Sequence, residues 1–457
     1  MEKREKLSSR IGFILLSAGC AIGLGNVWRF PFIAGQYGGA FFVLLYLIFL
    51  CIFGIPVMTM EFSVGRASQR SVATSFGMLE PKGTKWHWFS WMGMAGNYLL
   101  MMFYTTVAGW ILYYLFYMIS GTFTGITAEA SANIFTSHIG SPVKSVLGMV
   151  MICVLGFGIC TIGLQKGVEK ITKWMMSCLF LVMIVLVGRA VTLPGAAEGL
   201  RFYLMPSLDG VRQHGLWTVV FAAMGQSFFT LSLGVGSMAI FGSYINKEYR
   251  LTGESINVTI LDTMVAFMSG LIIFPACFAF GVKPDAGPSL IFITLPSVFN
   301  EMPMGRLWGA LFFIFMLFAA LSTVIAVFEN IMAFAMDKLG WSRKKSAVVN
   351  AAALIVLSIP CALGFNLWSG FQPMGAGSNI LDLEDFIVSN NLLPLGSLVY
   401  LLFCVSKNGW GWENFLAEAN SGKGLSFPRR IRPYLQYGLP VILIAIFIFG
   451  YIEKFFS

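Results

Sequence analysis

Apolar residues run in long, nearly unbroken stretches along the whole chain. With approximate edges they cover 11–36, 40–64, 88–120, 143–163, 170–193, 215–244, 256–282, 304–336, 346–365, 380–405 and 434–453. Each is long enough, at about 20 residues, for a helix to cross a hydrocarbon core of roughly 30 Å. The pattern predicts an all-α polytopic membrane protein with about 11 transmembrane helices, short loops and no appended soluble domain. An odd number of spans places the two termini on opposite sides of the bilayer.

Composition and charge refine this picture. Hydrophobic residues make up 57% of the 457 and charged ones only 11%, too few to cover a soluble domain of this size. With the N-terminus inside, 22 of the 30 lysines and arginines fall in the cytoplasmic segments, the asymmetry that the positive-inside rule expects. The N-terminus is then cytoplasmic and the C-terminus outside. The net charge of +9 is accounted for by topology beside anionic lipid, and no nucleic-acid partner is expected. The chain opens on Glu2, Lys3, Arg4, Glu5 and Lys6, without the layout of a removable signal peptide. Its eight cysteines lie in or beside apolar segments without metal-type spacing. Phosphate-loop, HExxH and GxSxG signatures are absent from the sequence, which counts against ATP-driven transport and common hydrolase chemistry.

Two stretches do not suit a plain spanning helix. The first segment contains "AGCAIGLGNVWRFPF" (Ala18 to Phe32), with Gly19, Gly23, Gly25 and a buried-register Asn26. Each mid-helix glycine costs about 0.5–1 kcal/mol relative to alanine. Close helix packing through Gly19 and Gly23 is one account, but it gives no reason for the amide. The sixth segment contains "GQSFFTLSLGVGSM" (Gly225 to Met238), again a Gly-x-Gly beside hydroxyls at Ser227, Thr230 and Ser232. Interrupted helices at corresponding places in two halves point to a binding site in an inverted-repeat transporter. Backbone freed at membrane depth is tolerated only where it lines a cavity or binds something. Carbonyls suit a cation, and helix N-termini suit an anionic group.

Two further features fit. The eighth segment carries adjacent hydroxyls, Ser322 and Thr323, as either oxygen ligands for a hard cation or back-bonding groups on their own helix. The seventh carries Asp262, and a carboxylate in a spanning helix is a functional candidate by default. A channel or another cation-binding membrane protein is the alternative, though two dissimilar breaks within one chain do not resemble a pore built from repeated subunits.

"GLGNVWRFP" and "FFTLSLGVGS" resemble the neurotransmitter:sodium symporter family, in its bacterial amino-acid branch, and the likeness extends over essentially the whole chain. The resemblance implies one transporter domain over 1–457. Helices 1–5 (about 11–193) and 6–10 (about 215–405) would form inverted repeats with helices 1 and 6 unwound at mid-membrane, and helix 11 (about 434–453) would be peripheral. It implies uptake of an amino acid with two sodium ions, and no enzymatic activity. The first sodium would take Ala21, Asn26, Thr230 and Asp262; the second would take Gly19, Ile22, Ala319, Ser322 and Thr323. The substrate would meet Ala21, Leu24, Gly25, Tyr104, Phe229, Thr230 and Ser232, with Leu100, Val235 and Val327 around its side chain. Arg29 and Asp385 would form the outer gate, and Arg4 and Asp337 the cytoplasmic one beside Tyr244. Where monoamine carriers have an aspartate this chain has Gly23, so its substrate should bring its own carboxylate. The apolar pocket favours a hydrophobic side chain. Tyr46 and Gln226 match neighbours of a chloride bound in animal members, while Ala266 replaces a hydroxyl and Asp262 supplies a fixed anion, so chloride independence is expected. On the fifth segment Gly167 is kept but Ser177 stands in place of a proline, which bears on how easily that end unwinds. The animal members' long disulfide-bearing outer loop is missing, and a prokaryotic inner membrane is the expected home.

Overall fold

A computed structural model describes residues 5–281 and 290–456. Arg4, one of the expected gate residues, lies outside them. The described residues are helical apart from turns, loops and one isolated bridge between Tyr249 and Lys423. In chain order the helices that matter are α1 (Arg10–Ala21), α2 (Gly25–Gln36), α3 (Ala40–Ser68), α4 (Trp86–Ser120), α5 (Pro142–Thr161) and α6 (Leu164–Val191). They are followed by α7 (Leu216–Thr230), α8 (Ser237–Tyr244), α9 (Leu251–Ala279), α10 (Gly305–Leu339), α11 (Arg343–Leu363), α12 (Ile380–Val405) and α13 (Arg429–Ile452). Among the described residues nine helices are long and apolar enough to cross a membrane, or ten if α1 and α2 count as one bent span. The remaining expected segment, 215–244, is built from α7 and α8, neither of which is long enough by itself.

The breaks have local causes. Ser9 caps α1 by accepting the Gly12 N–H at 3.0 Å. The helix stops where Ile22 turns extended (ψ 104°), and α2 departs at 57°. Between α7 and α8 the chain passes through three left-handed residues, Ser232 (φ 51°), Gly234 (φ 96°) and Gly236 (φ 81°). At Gly234 a Cβ would lie 2.2 Å from the Leu393 carbonyl oxygen, so both conformation and space demand glycine.

Helix α10 is the hub. In its most apolar stretch 83% of residues are buried, against 28% in α13, and it packs on α4, α5, α6 and α1. Lipid tails are as apolar as leucine, so helices associate here through close packing rather than through hydrophobic burial. Small residues permit that approach. A Cβ at Gly109 on α4 would lie 2.6 Å from the Gly148 backbone of α5, and one at Gly65 on α3 would lie 1.7 Å from the Ala239 carbonyl of α8. Phe157 and Phe328 stack with centroids 3.9 Å apart where α5 meets α10.

The α3–α8 contact yields a test. Gly65→Ala must push α8 away, and overpacking of this kind costs about 1–3 kcal/mol. Gly253→Ala on α9, where an added Cβ meets nothing within 4 Å, should gain about 0.5–1 kcal/mol of helix propensity instead. Thermal unfolding of the two purified variants should therefore shift in opposite directions from the unmodified protein. A Gly65→Ala variant as stable as its parent would show that this contact is not tight.

Candidate functional site

The two breaks face each other across α9, and their polar residues meet there. Asn26 just inside α2, Thr230 at the end of α7 and Asp262 midway along α9 are all buried. The Asn26 side-chain amide donates to Asp262 Oδ1 at 2.8 Å, the Asp262 carbonyl at 3.1 Å and Thr230 Oγ1 at 3.0 Å. Its carbonyl oxygen accepts the Gly23 N–H at 3.1 Å, stitching the α1–α2 break closed from within. Thr230 in turn donates to Asp262 Oδ2 at 2.9 Å. Both donors to the carboxylate are neutral, and no lysine or arginine among the described residues lies within 4 Å of it. A buried carboxylate held this way leaves one negative charge uncompensated, which is a place for a cation.

A second oxygen cluster sits where α10 passes the end of α1. Thr323 Oγ1 lies 3.3 Å from the Gly19 carbonyl, 3.1 Å from that of Ile22 and 3.4 Å from that of Ala319. Ser322 Oγ lies 3.0 Å from the Ala319 carbonyl and 3.4 Å from that of Ile22. All five residues expected for a second ion thus come together. The back-bonding to α10's own carbonyl and the bonding across to α1 are both present.

Between the clusters lies a cavity of about 20 Å³, with Ala21, Gly23, Leu24, Gly25, Leu100, Tyr104, Phe229, Ser232, Thr323 and Leu393 in its wall. That is room for about one water. An amino acid enters only if side chains move, and Phe229, Tyr104 and Leu100 are the ones placed to do so. The Leu24 N–H donates to Tyr104 Oη at 3.1 Å, where a carboxylate oxygen would compete for both groups. A Cβ at Gly23 would lie 2.5 Å from Tyr104 Oη, so any side chain there would intrude on the cavity. Val235 and Val327 are buried but stand outside the wall, whereas Leu393, unnamed in the sequence reading, belongs to it.

On one side of the cavity the Arg29 guanidinium lies over the Phe229 ring, 4.2 Å from its centroid. Asp385 accepts the Ser389 hydroxyl at 2.6 Å, and the two expected gate residues are not within 4 Å of each other. On the other side Asp337 accepts the Ser71 N–H at 2.8 Å and lies 3.5 Å from Arg70. Tyr244 donates to Glu329 at 2.8 Å, and Glu329 is bound at both oxygens by Arg343, at 2.8 and 3.0 Å. Arg343 also reaches Glu5 at 3.2 Å and the Cys160 carbonyl at 3.0 Å. This buried ion pair was missed from sequence, although Glu329 is an acid within the eighth apolar segment. Glu61 was missed as well: it is fully buried on α3 and accepts the Gly234 N–H inside the α7–α8 break. A lone acid within the second apolar segment was the available signal for it.

The residues expected near a chloride also gather at the site. Gln226 donates to the Gly25 carbonyl at 3.1 Å, and the Tyr46 hydroxyl lies 3.4 Å from Thr230 Oγ1. Ser177 lies inside the continuous α-helical run Lys170–Val191 of α6, and its hydroxyl also donates to the Lys173 carbonyl at 2.9 Å.

Known proteins share this arrangement of helices. The family model described as the sodium:neurotransmitter symporter family matches residues 4–133 and 131–455. An uncharacterised sodium-dependent transporter of Bacillus subtilis, YhdH, is 34% identical, with 98% of each chain covered. The mouse sodium- and chloride-dependent GABA transporter 2 is 26% identical over 99% of this chain and 80% of its own length. The crystal structure of MhsT in complex with L-phenylalanine superposes with a TM-score of 0.88 at 37% identity, covering 98% of this chain and 99% of that one. The chain belongs to the sodium:neurotransmitter symporter family, and it is a sodium-dependent membrane transporter rather than an enzyme.

Proposed function

We propose that the protein imports a hydrophobic L-amino acid, aliphatic or aromatic, together with two sodium ions by alternating access, and needs no chloride. The observation that carries this reading is the convergence of two helix breaks on a buried, uncompensated Asp262. The first sodium is held by the Ala21 carbonyl, Asn26, Thr230 and Asp262, and the second by Gly19, Ile22, Ala319, Ser322 and Thr323. The likeness to a protein solved with L-phenylalanine supports an amino-acid substrate. Gly23 and the Leu24 N–H support one that brings its own carboxylate. That group takes over the Tyr104 hydroxyl and the N–H groups of Leu24 and Gly25, with its ammonium toward Ala21, Phe229, Thr230 and Ser232.

Alternating access then assigns the two ends. With the N-terminus cytoplasmic and the C-terminus outside, in a prokaryotic inner membrane, Arg29 and Asp385 close the outer side above Phe229. Arg4, Asp337 and Tyr244 close the inner one. The inverted repeats of helices 1–5 and 6–10 supply the symmetry by which one side opens as the other closes. At an effective dielectric constant near 20, a cation about 4 Å from Asp262 gains about 4 kcal/mol. That attraction is available in the loaded protein and lost on release, so it couples sodium to the breaks that bind substrate.

Uptake into proteoliposomes tests the reading directly. An inward sodium gradient should drive accumulation of at least one neutral, hydrophobic L-amino acid from a radiolabelled panel, and Thr323→Val should weaken sodium dependence by about tenfold, near 1.4 kcal/mol. No accumulation of any panel member would overturn the assignment.

The anion has its own test. Two sodium ions and a zwitterion leave excess positive charge, which animal relatives named as sodium- and chloride-dependent offset from solution. Here Asp262 supplies the negative charge permanently, beside an Ala266 that offers no hydroxyl. Uptake should be unchanged when gluconate replaces chloride, whereas Asp262→Asn should abolish it or render it chloride-responsive. Chloride-dependent uptake by the unmodified protein counts decisively against a fixed-anion role.

A further inference from the structure

Seven carboxylates are buried among the described residues: Glu61, Glu169, Glu254, Asp262, Glu329, Glu384 and Glu418. Four of them have a cationic partner. Glu169 pairs with Lys173 at 2.7 Å, Glu254 with Arg10 at 2.8 Å, Glu329 with Arg343 at 2.8 Å, and Glu418 with both Arg66 and Lys247 at 2.7 Å. Asp262 belongs to the proposed sodium site, and Glu61 accepts the Gly234 N–H in the α7–α8 break at one oxygen, its other oxygen being enclosed without a partner. Glu384 is left over. It is 4% exposed, has no lysine, arginine or histidine within 4 Å among the described residues, and has the weakly donating Cys361 thiol beside its carboxyl. Its Oε2 is wholly enclosed.

An ionised carboxylate in that position would give up most of its water and receive little more than a weak thiol hydrogen bond in return, at a cost of several kcal/mol. Among the described residues no group of three or more His, Cys, Asp or Glu side chains gathers there to hold a metal ion. A proton requires only the carboxyl itself. The surroundings agree with a neutral group. Glu384 lies in the first two turns of α12, which pack on α4 and α11. The Cys361 thiol of α11 is beside it, with the Thr106 hydroxyl of α4 next to that thiol. On its own helix Asp382 is turned away into the cap, accepting the Asn379 N–H, and Asp385 is occupied by Ser389. Those are the titratable and charged groups facing it from α4, α11 and α12.

We propose that Glu384 is a proton-binding site separate from the sodium and substrate sites, neutral while the start of α12 is packed on α4 and α11 and ionised when that contact opens to water. This rests on the proposed transport cycle for its orientation, in which the start of α12 faces outside and Asp385, the next residue, belongs to the outer gate. Because the packed arrangement holds the proton and the open one releases it, lowering the outside pH favours the closed outer side. Raising it favours the open side, with the ratio moving by up to roughly tenfold per pH unit for one linked proton.

The experiment uses the full chain in nanodiscs with sodium present. Infrared spectra at neutral pH should show the carbonyl stretch of a protonated carboxylic acid that disappears in Glu384→Gln. Spin-label distances between the start of α12 and α4 should lengthen with rising pH in the unmodified protein and stay constant in Glu384→Gln. Should that variant fail to fold, Cys361→Ala, which alters only the neighbour, should shift the frequency of the band. A protonated-acid band unchanged by both substitutions, or a Glu384→Gln variant that follows the parent's pH dependence, would overturn the proposal. The infrared band does not depend on transport, so absent uptake with the band intact would count against the transport cycle and not against the proton.

Discussion

A backbone N–H or C=O exposed to hydrocarbon has no water to turn to, and this chain contains two places where the helix itself lets such groups go. Most of the architecture follows from satisfying them. At the α1–α2 break the Asn26 side chain takes the Gly23 N–H, Tyr104 takes that of Leu24, and Gln226 covers the Gly25 carbonyl. At the α7–α8 break Glu61 takes the Gly234 N–H. Each of these side chains comes from a different segment, or from the far side of the break it serves. The breaks therefore exist only in the assembled bundle, and whatever displaces one partner is felt at both.

The two oxygen clusters differ in their electrostatics. The α1–α10 cluster is neutral, made of hydroxyls and carbonyls that already satisfy one another, so a cation there competes with hydrogen bonds of ordinary strength. The Asp262 cluster contains a carboxylate whose charge, when it is ionised, is poorly screened by its surroundings. It is the stronger attractor, and it shares Thr230 and Ala21 with the substrate's expected contacts. A cation at Asp262 and a substrate carboxylate beside it stabilise each other directly. In the proposed reading, sodium dependence, a property of the family, would have its local cause at Asp262.

Below the site the chain invests in a different kind of closure. Tyr244, Glu329, Arg343 and Glu5 form one connected set across α8, α10, α11 and the segment before α1. Removing Arg343 would strand the buried Glu329 charge, which costs far more than the pair contributes when intact. On the opposite side Arg29 rests on an aromatic face, an arrangement that yields more readily.

The sequence by itself determined the solvent, the spans and the location of the breaks. Those depend on length, periodicity and residue type, which hydrocarbon constrains severely: Gly23, Gly25, Asn26, Gly234 and Gly236 have no place in an uninterrupted spanning helix. It also named Asp262, Thr230, Ser322 and Thr323, because polar oxygen in lipid is rarely without purpose. The tertiary structure alone decided which of these groups touch. The 57° turn after Ala21, the pairing of Glu61 with a glycine 173 positions away, the entry of Leu393 into the cavity wall and the exclusion of Val235 and Val327 all depend on helix rotation and crossing. The partnership of Arg343 with Glu329, and the isolation of Glu384 from every cation among the described residues, were equally out of reach. Hydropathy records that a residue is apolar or charged, but the direction in which a side chain points is fixed only when its neighbours are packed around it.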